Sequence, residues 1–231
     1  MSDILNSIKI VPVNFPDNQY IKESTNKTQV VLHHTVSGRG VNGDINYWIS
    51  TTDRVSTAMI INYNGDAFQC FSTNYWGYHL GLELKTFDKF NLPYIKIDKS
   101  SIGVEIDSWG GLVKDKASNN WYPAGWDNIA KKMIPMIKYG KVDNIIEYPN
   151  GFRGFYGFEK YTDEQIETVR KLLLYWNEKF NIPLNYNSNM FEVNSDALSG
   201  KSGIWSHTSF RFDKSDIHPQ PNLIEMLQNL E

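Results

Sequence analysis

Three short segments that lie far apart in the chain carry side chains able to hold one metal ion. The first is an apolar run, Val30–Thr35, that includes the histidine pair His33 and His34. The other two, around His207 and Asp216, are separated by a stretch long enough to fold both residues onto one ion. Two imidazoles and one carboxylate are a ligand set of catalytic zinc, which keeps a fourth position for water. These residue types therefore predict a zinc site.

A fourth segment supplies a carboxylate that could act on such a water. Glu105 lies in Ser101–Ile106, a strand-like run with β-branched neighbours. A glutamate that is not a ligand can take the proton of the water and return it. Alternation along the strand puts Gly103 and Asp107 on the same face as Glu105. We expect Gly103 to leave room for a substrate, and Asp107 is the rival for the role of base. An acidic residue on a strand is more often a solvated side chain.

The histidine pair cannot act as two ligands of one site. Alternation along a strand places His33 and His34 on opposite faces of the sheet, and periodicity alone does not choose between them. A lone histidine on an apolar strand is usually structural, so the other member should be packed or hydrogen-bonded elsewhere. His218 is a further, less favoured, candidate ligand in the C-terminal stretch.

Two further segments have chemically useful side chains. Lys214 stands two residues before Asp216 and could supply positive charge to a developing oxyanion. The alternative is a solvated loop with scattered charges. His79 lies in Trp76–Gly81, a glycine-flanked aromatic segment that could stack on a sugar ring or could equally belong to the core.

The elements that must position these residues can be read from pattern. The sequence predicts a buried strand over Gln29–Thr35, and a helix that begins at Thr162 with a capping box to Gln165. It also predicts a hairpin that turns at Asn64-Gly65. The hairpin strands are Val55–Ile61 and Ala67–Phe71, a further strand is Ile102–Asp107, and further helices are Asp44–Ile49, Trp126–Tyr139 (interrupted at Pro135) and Leu223–Leu230.

Interspersed strands and helices favour an α/β fold, a single domain with a central mixed β-sheet flanked by helices. We expect residues 1–28 to form an N-terminal arm packed on the domain, and residues 29–231 to form the catalytic domain. Residues 184–203, rich in Asn, Ser and Gly, are predicted to be a long loop.

Composition narrows the class of protein. The chain has 231 residues, 41% of them hydrophobic, which suits one globular domain. A net charge of −3 argues against nucleic acid as a partner. The single Cys70 excludes an intramolecular disulfide. The first residues lack the features of a signal peptide, and no apolar run is long enough to span a membrane, so we expect synthesis in the cytosol and no membrane insertion.

Taken together, these segments resemble the zinc-dependent N-acetylmuramoyl-L-alanine amidases, whose fold is shared with peptidoglycan recognition proteins and amidase-type phage lysozymes. Any one match is weak, but their common order is specific, and the resemblance extends from about Gln29 to the C-terminal helix. The matching segments are Val30–Thr35, Val55–Gly65, Trp76–Gly81, Ser101–Glu105, Tyr161–Gln165, and the stretch with His207, Lys214 and Asp216.

The resemblance implies a role for each candidate residue. In the family the first histidine of the pair is a ligand, which implies Zn²⁺ held by His33, His207 and Asp216. Glu105 matches the catalytic glutamate and Lys214 the lysine that stabilises the oxyanion. The implied substrate contacts are His79, Trp76 and Thr57.

The implied reaction is hydrolysis of the amide between N-acetylmuramic acid and L-alanine, with peptidoglycan or a muropeptide as substrate. A non-catalytic peptidoglycan-binding module is the alternative, although such members typically lose a zinc ligand. An endolysin or a secreted effector would act on the cell wall, whereas a recycling enzyme would act in the cytoplasm.

This chain departs from the family pattern in three places. Thr57 and Ala58 stand where many members have an aromatic residue or histidine, segments 84–98 and 184–203 are long, and Ile217-His218-Pro219 replaces a proline-glycine turn.

Overall fold

A six-stranded mixed sheet lies at the centre of the structure, a computed structural model that describes residues 3–230. Within those residues the strands are β1 (Ile10–Pro12), β2 (Gln29–His34), β3 (Met59–Ile61), β4 (Ala67–Gln69), β5 (Ser101–Ile106), β6 (Gly111–Lys114), β7 (Trp121–Asp127), β8 (Lys132–Pro135), β9 (Ile145–Phe152), β10 (Phe155–Glu159) and β11 (Gly203–Ser206). The α-helices are α1 (Asp3–Asn6), α2 (Asn42–Ser50), α3 (Leu84–Lys89), α4 (Asp163–Phe180), α5 (Ser195–Leu198) and α6 (Pro221–Gln228). The predicted α/β class, with a mixed central sheet and flanking helices, is confirmed.

The central sheet has the strand order β1-β4-β3-β5-β2-β11. The β3–β4 pair is antiparallel, and the other pairs in this sheet are parallel. All six residues of β2 are buried, because a strand inside a parallel sheet is covered on both faces. The predicted strand over Gln29–Thr35 is therefore confirmed, and its near-continuous apolar character follows from its central position.

Helix α4 begins as the sequence predicts. The backbone N–H of Gln165 donates to Oγ1 of Thr162 at 3.1 Å, and the N–H of Thr162 donates to Oε1 of Gln165 at 3.0 Å. This reciprocal capping box satisfies two of the N–H groups that a helix start leaves free. The helix ends at Phe180, and Asn181 takes the left-handed conformation that commonly closes a helix. Its apolar face packs into the main core, as the residues Ile166, Val169, Leu172, Leu173 and Trp176 are buried there.

The predicted hairpin is also present, with shorter strands than expected. β3 and β4 pair from Met59 opposite Gln69 to Ile61 opposite Ala67. The N–H of Gly65 donates to the carbonyl of Asn62 at 2.9 Å, which closes the turn.

A second sheet, which no local sequence pattern predicts, is formed by residues 111–159. It is antiparallel, with the strand order β8-β7-β6-β10-β9. It has a small apolar cluster of its own around Leu112, Trp121 and Val142. The N–H of Glu159 donates to the carbonyl of Gly110 at 3.0 Å, so the chain enters and leaves this sheet at adjacent points.

The helix predicted over Trp126–Tyr139 is wrong. β7 runs to Asp127, a turn follows, and β8 ends at Pro135. Oδ1 of Asp127 accepts from the N–H groups of Ile129 and Ala130, which is the local bonding that draws aspartate into turns. The apolar spacing that suggested a helix instead serves strand pairing, with Trp126 opposite Met133.

Two other segments contain short elements. Residues 184–203, predicted to be a loop, contain a 3-10 turn at Ser188–Phe191 and the short helix α5. Within the predicted N-terminal arm, β1 pairs in parallel with β4 at the edge of the central sheet. The boundary between residues 28 and 29 stays a prediction. Among the described residues, no helix is both long and apolar enough to cross a membrane.

Candidate metal centre

Two neighbouring strands bring a histidine and a carboxylate onto one face of the central sheet. β2 and β5 pair in a register that sets His33 beside Glu105 and His34 beside Ile106. Paired residues of parallel strands point to the same face, and successive residues alternate. β11 lies on the other side of β2 and leads directly into His207. The strand order therefore explains how residues so distant in sequence meet.

Nδ1 of His33, Nδ1 of His207 and Oδ2 of Asp216 form a small triangle. The two nitrogens lie 3.0 Å apart, and Oδ2 lies 3.2 Å from the His33 nitrogen and 2.9 Å from the His207 nitrogen. All three residues are buried. Tetrahedral ligands at about 2.0–2.2 Å from zinc lie roughly 3.3–3.6 Å from one another. The triangle is slightly tighter than the spacing that zinc requires.

The second nitrogen of His207 identifies which of its atoms is free to bind a metal. Nε2 lies 3.0 Å from the carbonyl oxygen of Leu80. A carbonyl only accepts, so Nε2 carries the proton and Nδ1 of the neutral ring presents a lone pair. That lone pair faces the carboxylate of Asp216 at 2.9 Å. Two acceptors this close repel each other unless a proton or a metal cation lies between them, and the donor set fits a metal ion.

His33 is supported through its second nitrogen by another histidine. Its Nε2 lies 2.9 Å from Nδ1 of His79, and Nε2 of His79 lies 2.8 Å from Oγ of Ser101. When each ring donates from Nε2 along this line, Nδ1 of His33 is left as an acceptor. Oδ1 of Asp98 accepts from the N–H groups of His79 and Leu80, at 2.9 and 3.1 Å. One carboxylate thus anchors the backbone of both groups that support the imidazoles.

Glu105 faces the same region and keeps an unused acceptor. Its Oε2 is inaccessible to solvent and has no hydrogen-bond partner among residues 3–230. Burial, followed by the nearby carboxylate of Asp216, raises the pKa of Glu105 well above its usual value, and the charge of Lys214 acts in the opposite direction. Lys214 is half-buried. The structure thus places both predicted catalytic side chains within electrostatic reach of each other.

Burial and mutual charge lower the pKa values of two of the candidate ligands, His33 and Asp216. Burial, and then the positive charge that His207 can carry, lowers the pKa of His33 well below its usual range. Burial alone would raise the pKa of Asp216, but interactions with His207 and His33 outweigh it and hold that pKa well below the usual value. Metal ligands must be deprotonated, so the lowered pKa values of His33 and Asp216 suit metal binding at neutral pH.

The opposite face of β2 holds a separate buried network. Nδ1 of His34 lies 2.9 Å from the hydroxyl of Tyr161, and the N–H of His218 donates to the same hydroxyl at 3.3 Å. Nδ1 of His218 lies 2.8 Å from the hydroxyl of Tyr148, and its ring stacks on Phe158. The predicted separation of His33 from His34 is confirmed, and both His34 and His218 have packing roles here.

Asp107, the predicted rival of Glu105, lies just past the end of β5. Its Oδ2 accepts from the N–H of Gly40 at 2.8 Å, while its buried Oδ1 has no partner among the described residues. Burial raises the pKa of Asp107 to about 7. Glu105 is the carboxylate paired in register with His33, which favours it over Asp107 as the base.

The three residues predicted to contact substrate are buried. The indole of Trp76 donates to Glu23, and the hydroxyl of Thr57 donates to the carbonyl of Met59. Both ring nitrogens of His79 are engaged as described above. The room for a substrate expected above Gly103 is absent, because a Cβ there would lie 2.9 Å from the His79 ring and 2.9 Å from Cγ2 of Thr57. Their contact with substrate stays a prediction.

Sequence reasoning missed the two side chains that hold the supporting groups in place. Ser101 and Asp98 both hydrogen-bond to His79, which lies about 20 positions earlier in the chain. Neither helical nor strand periodicity relates residues that are so far apart in sequence. The one available signal was their position at, or just before, the start of the strand that carries Glu105.

Comparison with known proteins adds a family and a fold. A family model described as N-acetylmuramoyl-L-alanine amidase matches residues 24–221. The comparison with curated proteins found no match. The solved structure of PlyL is 14% identical with a TM-score of 0.50, covering 97% of this chain and 99% of that one. The catalytic domain of XlyA is 12% identical (TM-score 0.52, 95% and 99%), and a mutant endolysin from Bacillus subtilis is 11% identical (TM-score 0.51, 96% and 97%). Identities this low bear on the fold alone.

Proposed function

The chain belongs to the N-acetylmuramoyl-L-alanine amidase family, and from that premise we propose that it cleaves its peptidoglycan amide as a zinc enzyme. The ligands are His33, His207 and Asp216. The observation that carries the proposal is the buried triangle of three acceptor atoms, each within 3.2 Å of the other two. The scissile bond joins the lactyl group of N-acetylmuramic acid to L-alanine.

Each protein group has a defined task in this proposal. A bound zinc ion supplies a Lewis acid and a source of nucleophile at neutral pH. Glu105 takes a proton through its unpartnered Oε2 as the amide is attacked, and returns it to the nitrogen of the leaving alanine. Lys214 stabilises negative charge that develops on the amide oxygen. His79 and Leu80 orient the two imidazoles.

We place the action of this enzyme on the bacterial cell wall, in the manner of an endolysin. Membership of the amidase family, whose scissile bond lies in peptidoglycan, supports this setting. The test is to compare intact sacculi with soluble muropeptides as substrates. Faster release from sacculi supports the endolysin role, and activity confined to soluble fragments would instead indicate recycling.

The reaction is tested by its products. Incubation with peptidoglycan should release new amino termini on alanine without new reducing sugar ends. Treatment with a chelator should stop the release, and added Zn²⁺ should restore it. Reducing ends without new amino termini would contradict the amidase assignment, and binding without either product would indicate a recognition module.

The ligand assignment is tested by metal content. We expect His33→Ala to lose stoichiometric zinc, because the buried triangle then lacks one nitrogen. His34→Ala is the matched control on the opposite face. It should retain zinc but be less stable, because it loses the bond to Tyr161. Full zinc content in purified His33→Ala would refute the assignment.

A further inference from the structure

The β7–β8 hairpin of the second sheet presents apolar side chains to solvent. Ile129 in its turn is 96% exposed, and the register pair Trp126 and Met133 is 52% and 43% exposed. Ile137 and Tyr139, which follow β8, are exposed as well. Single exposed apolar residues need no explanation, but several on one projecting hairpin are typical of a docking surface.

The turn that carries Ile129 is held in a defined shape. Oδ1 of Asp127 accepts from the N–H groups of Ile129 and Ala130, at 2.8 and 3.0 Å. β7 and β8 pair in register up to Asp127 opposite Lys132. The apolar tip is therefore displayed by a paired hairpin, and ordering it on a partner costs little conformational entropy.

Three lysines lie in the same stretch of chain as this apolar tip. Lys131 and Lys132 adjoin the turn, and Lys138 follows β8. All three are exposed, and none makes an ion pair with any residue in the described range 3–230. Residues 126–138 contain three lysines and one acidic residue, whereas the whole chain carries a net charge of −3. The hairpin is thus a basic patch on an acidic protein.

We propose that the β7–β8 hairpin docks on the surface of an anionic lipid membrane. Exposed lysines are attracted to acidic headgroups, and Ile129, Met133 and Trp126 gain by leaving water for the boundary of the acyl chains. An anionic wall polymer would satisfy the lysines but would offer little to an aliphatic tip, which is why the lipid surface is the favoured partner. The proposal is independent of the catalytic assignment.

The test is co-sedimentation of the full chain with lipid vesicles. We expect binding to vesicles that contain phosphatidylglycerol, weaker binding as salt is raised, and little binding to pure phosphatidylcholine. Ile129→Asp should reduce the partition coefficient about tenfold or more, because it removes the aliphatic group that would enter the membrane and adds a negative charge that the acidic headgroups repel. Lys131→Glu should reduce it at least roughly fivefold.

Matched controls distinguish binding through the hairpin from nonspecific hydrophobic binding. Leu84→Asp removes another exposed apolar residue, 65% exposed on α3, and should leave vesicle binding unchanged. Failure of the wild-type chain to bind phosphatidylglycerol vesicles, or equal losses in Ile129→Asp and Leu84→Asp, would overturn the proposal. Binding to sacculi but not vesicles, abolished when anionic polymers are stripped, would assign the hairpin to the wall. A dimer that Ile129→Asp dissociates would assign it to self-association.

Discussion

At the scale of single residues, the candidate metal centre depends on supporting groups that would not touch the metal. His33 and His207 each use Nε2 to bond a neighbour, His79 in one case and the Leu80 carbonyl in the other. Such partners set which ring nitrogen is protonated and fix the orientation of the ring. His79, which the sequence suggests as a substrate contact, is placed by the structure where it can position a ligand.

Replacement of His79 tests this role. His79→Phe keeps a buried ring but removes the acceptor for Nε2 of His33, so we expect zinc affinity to fall roughly 10–100-fold. The measurement is competition with a chromogenic chelator, which does not depend on activity. His34→Phe, a buried histidine on the other face, is the control and should keep wild-type affinity. Equal affinity in both variants would show that His79 does not position the ligand.

Replacement of Glu105 tests its role as the general base. Glu105→Gln keeps the shape of the side chain but removes the basic oxygen, so kcat should fall about 10²–10⁴-fold. Zinc content and thermal midpoint should change little, because Glu105 is not in the ligand triangle. Steady-state kinetics with metal analysis measures both. If Asp107→Asn abolishes activity while Glu105→Gln keeps a near-normal kcat, the base has been misassigned.

At the scale of elements, the sequence was informative wherever a local pattern determined the structure. β2, the β3–β4 hairpin and α4 follow from apolar runs, an Asn-Gly turn and a capping box. The opposite faces of His33 and His34 follow from alternation alone. The second sheet was missed because its strands are defined by pairing with one another, and Trp126–Tyr139 has apolar spacing that fits a helix as well. Which residues support the imidazoles depends on tertiary contacts, which no local pattern reports.

The start of α4 offers a stability prediction at this scale. Oγ1 of Thr162 accepts from the N–H of Gln165 and also donates to the carbonyl of Tyr63 at 2.8 Å. Loss of a cap of this kind costs about 0.5–2 kcal/mol of unfolding free energy, and the second bond places Thr162→Ala in the upper half of that range. Urea denaturation measures the difference. Thr52→Ala, at an exposed position, should change stability far less.

At the scale of the whole molecule, stability should depend on pH through Asp107. Burial, and then the carboxylates of Asp44 and Glu159, raises its pKa to about 7, against the bond from Gly40 and the charge of Arg39. The folded protein then binds more protons than the unfolded chain between about pH 4 and pH 7. The stability contributed by protonated Asp107 is therefore full below about pH 4 and is lost as the pH rises through 7.

Asp107→Asn should remove this dependence. The amide keeps an oxygen for the N–H of Gly40 but carries no charge to bury. We expect the variant to gain stability relative to wild type at pH 8, and to gain less or none at pH 5. Denaturation of the variant and of wild type at the two pH values measures this difference. Burial also lowers the pKa of Lys27 to about 7, but Lys27 contributes equally to the variant and to wild type. A difference that is the same at both pH values would contradict the raised pKa.

The bond between Glu159 and Gly110 brings the two ends of the second sheet together, and Tyr148 and Phe158 within that sheet pack on His218. A segment whose two ends meet can be lengthened, shortened or replaced while the chain on either side keeps its course. Here one side is the strand that carries Glu105, and the other is the start of α4. Evolution can therefore vary the outer strands β7 and β8, which the strand order places farthest from β9 and β10, while the packing on His218 beside the metal centre is kept.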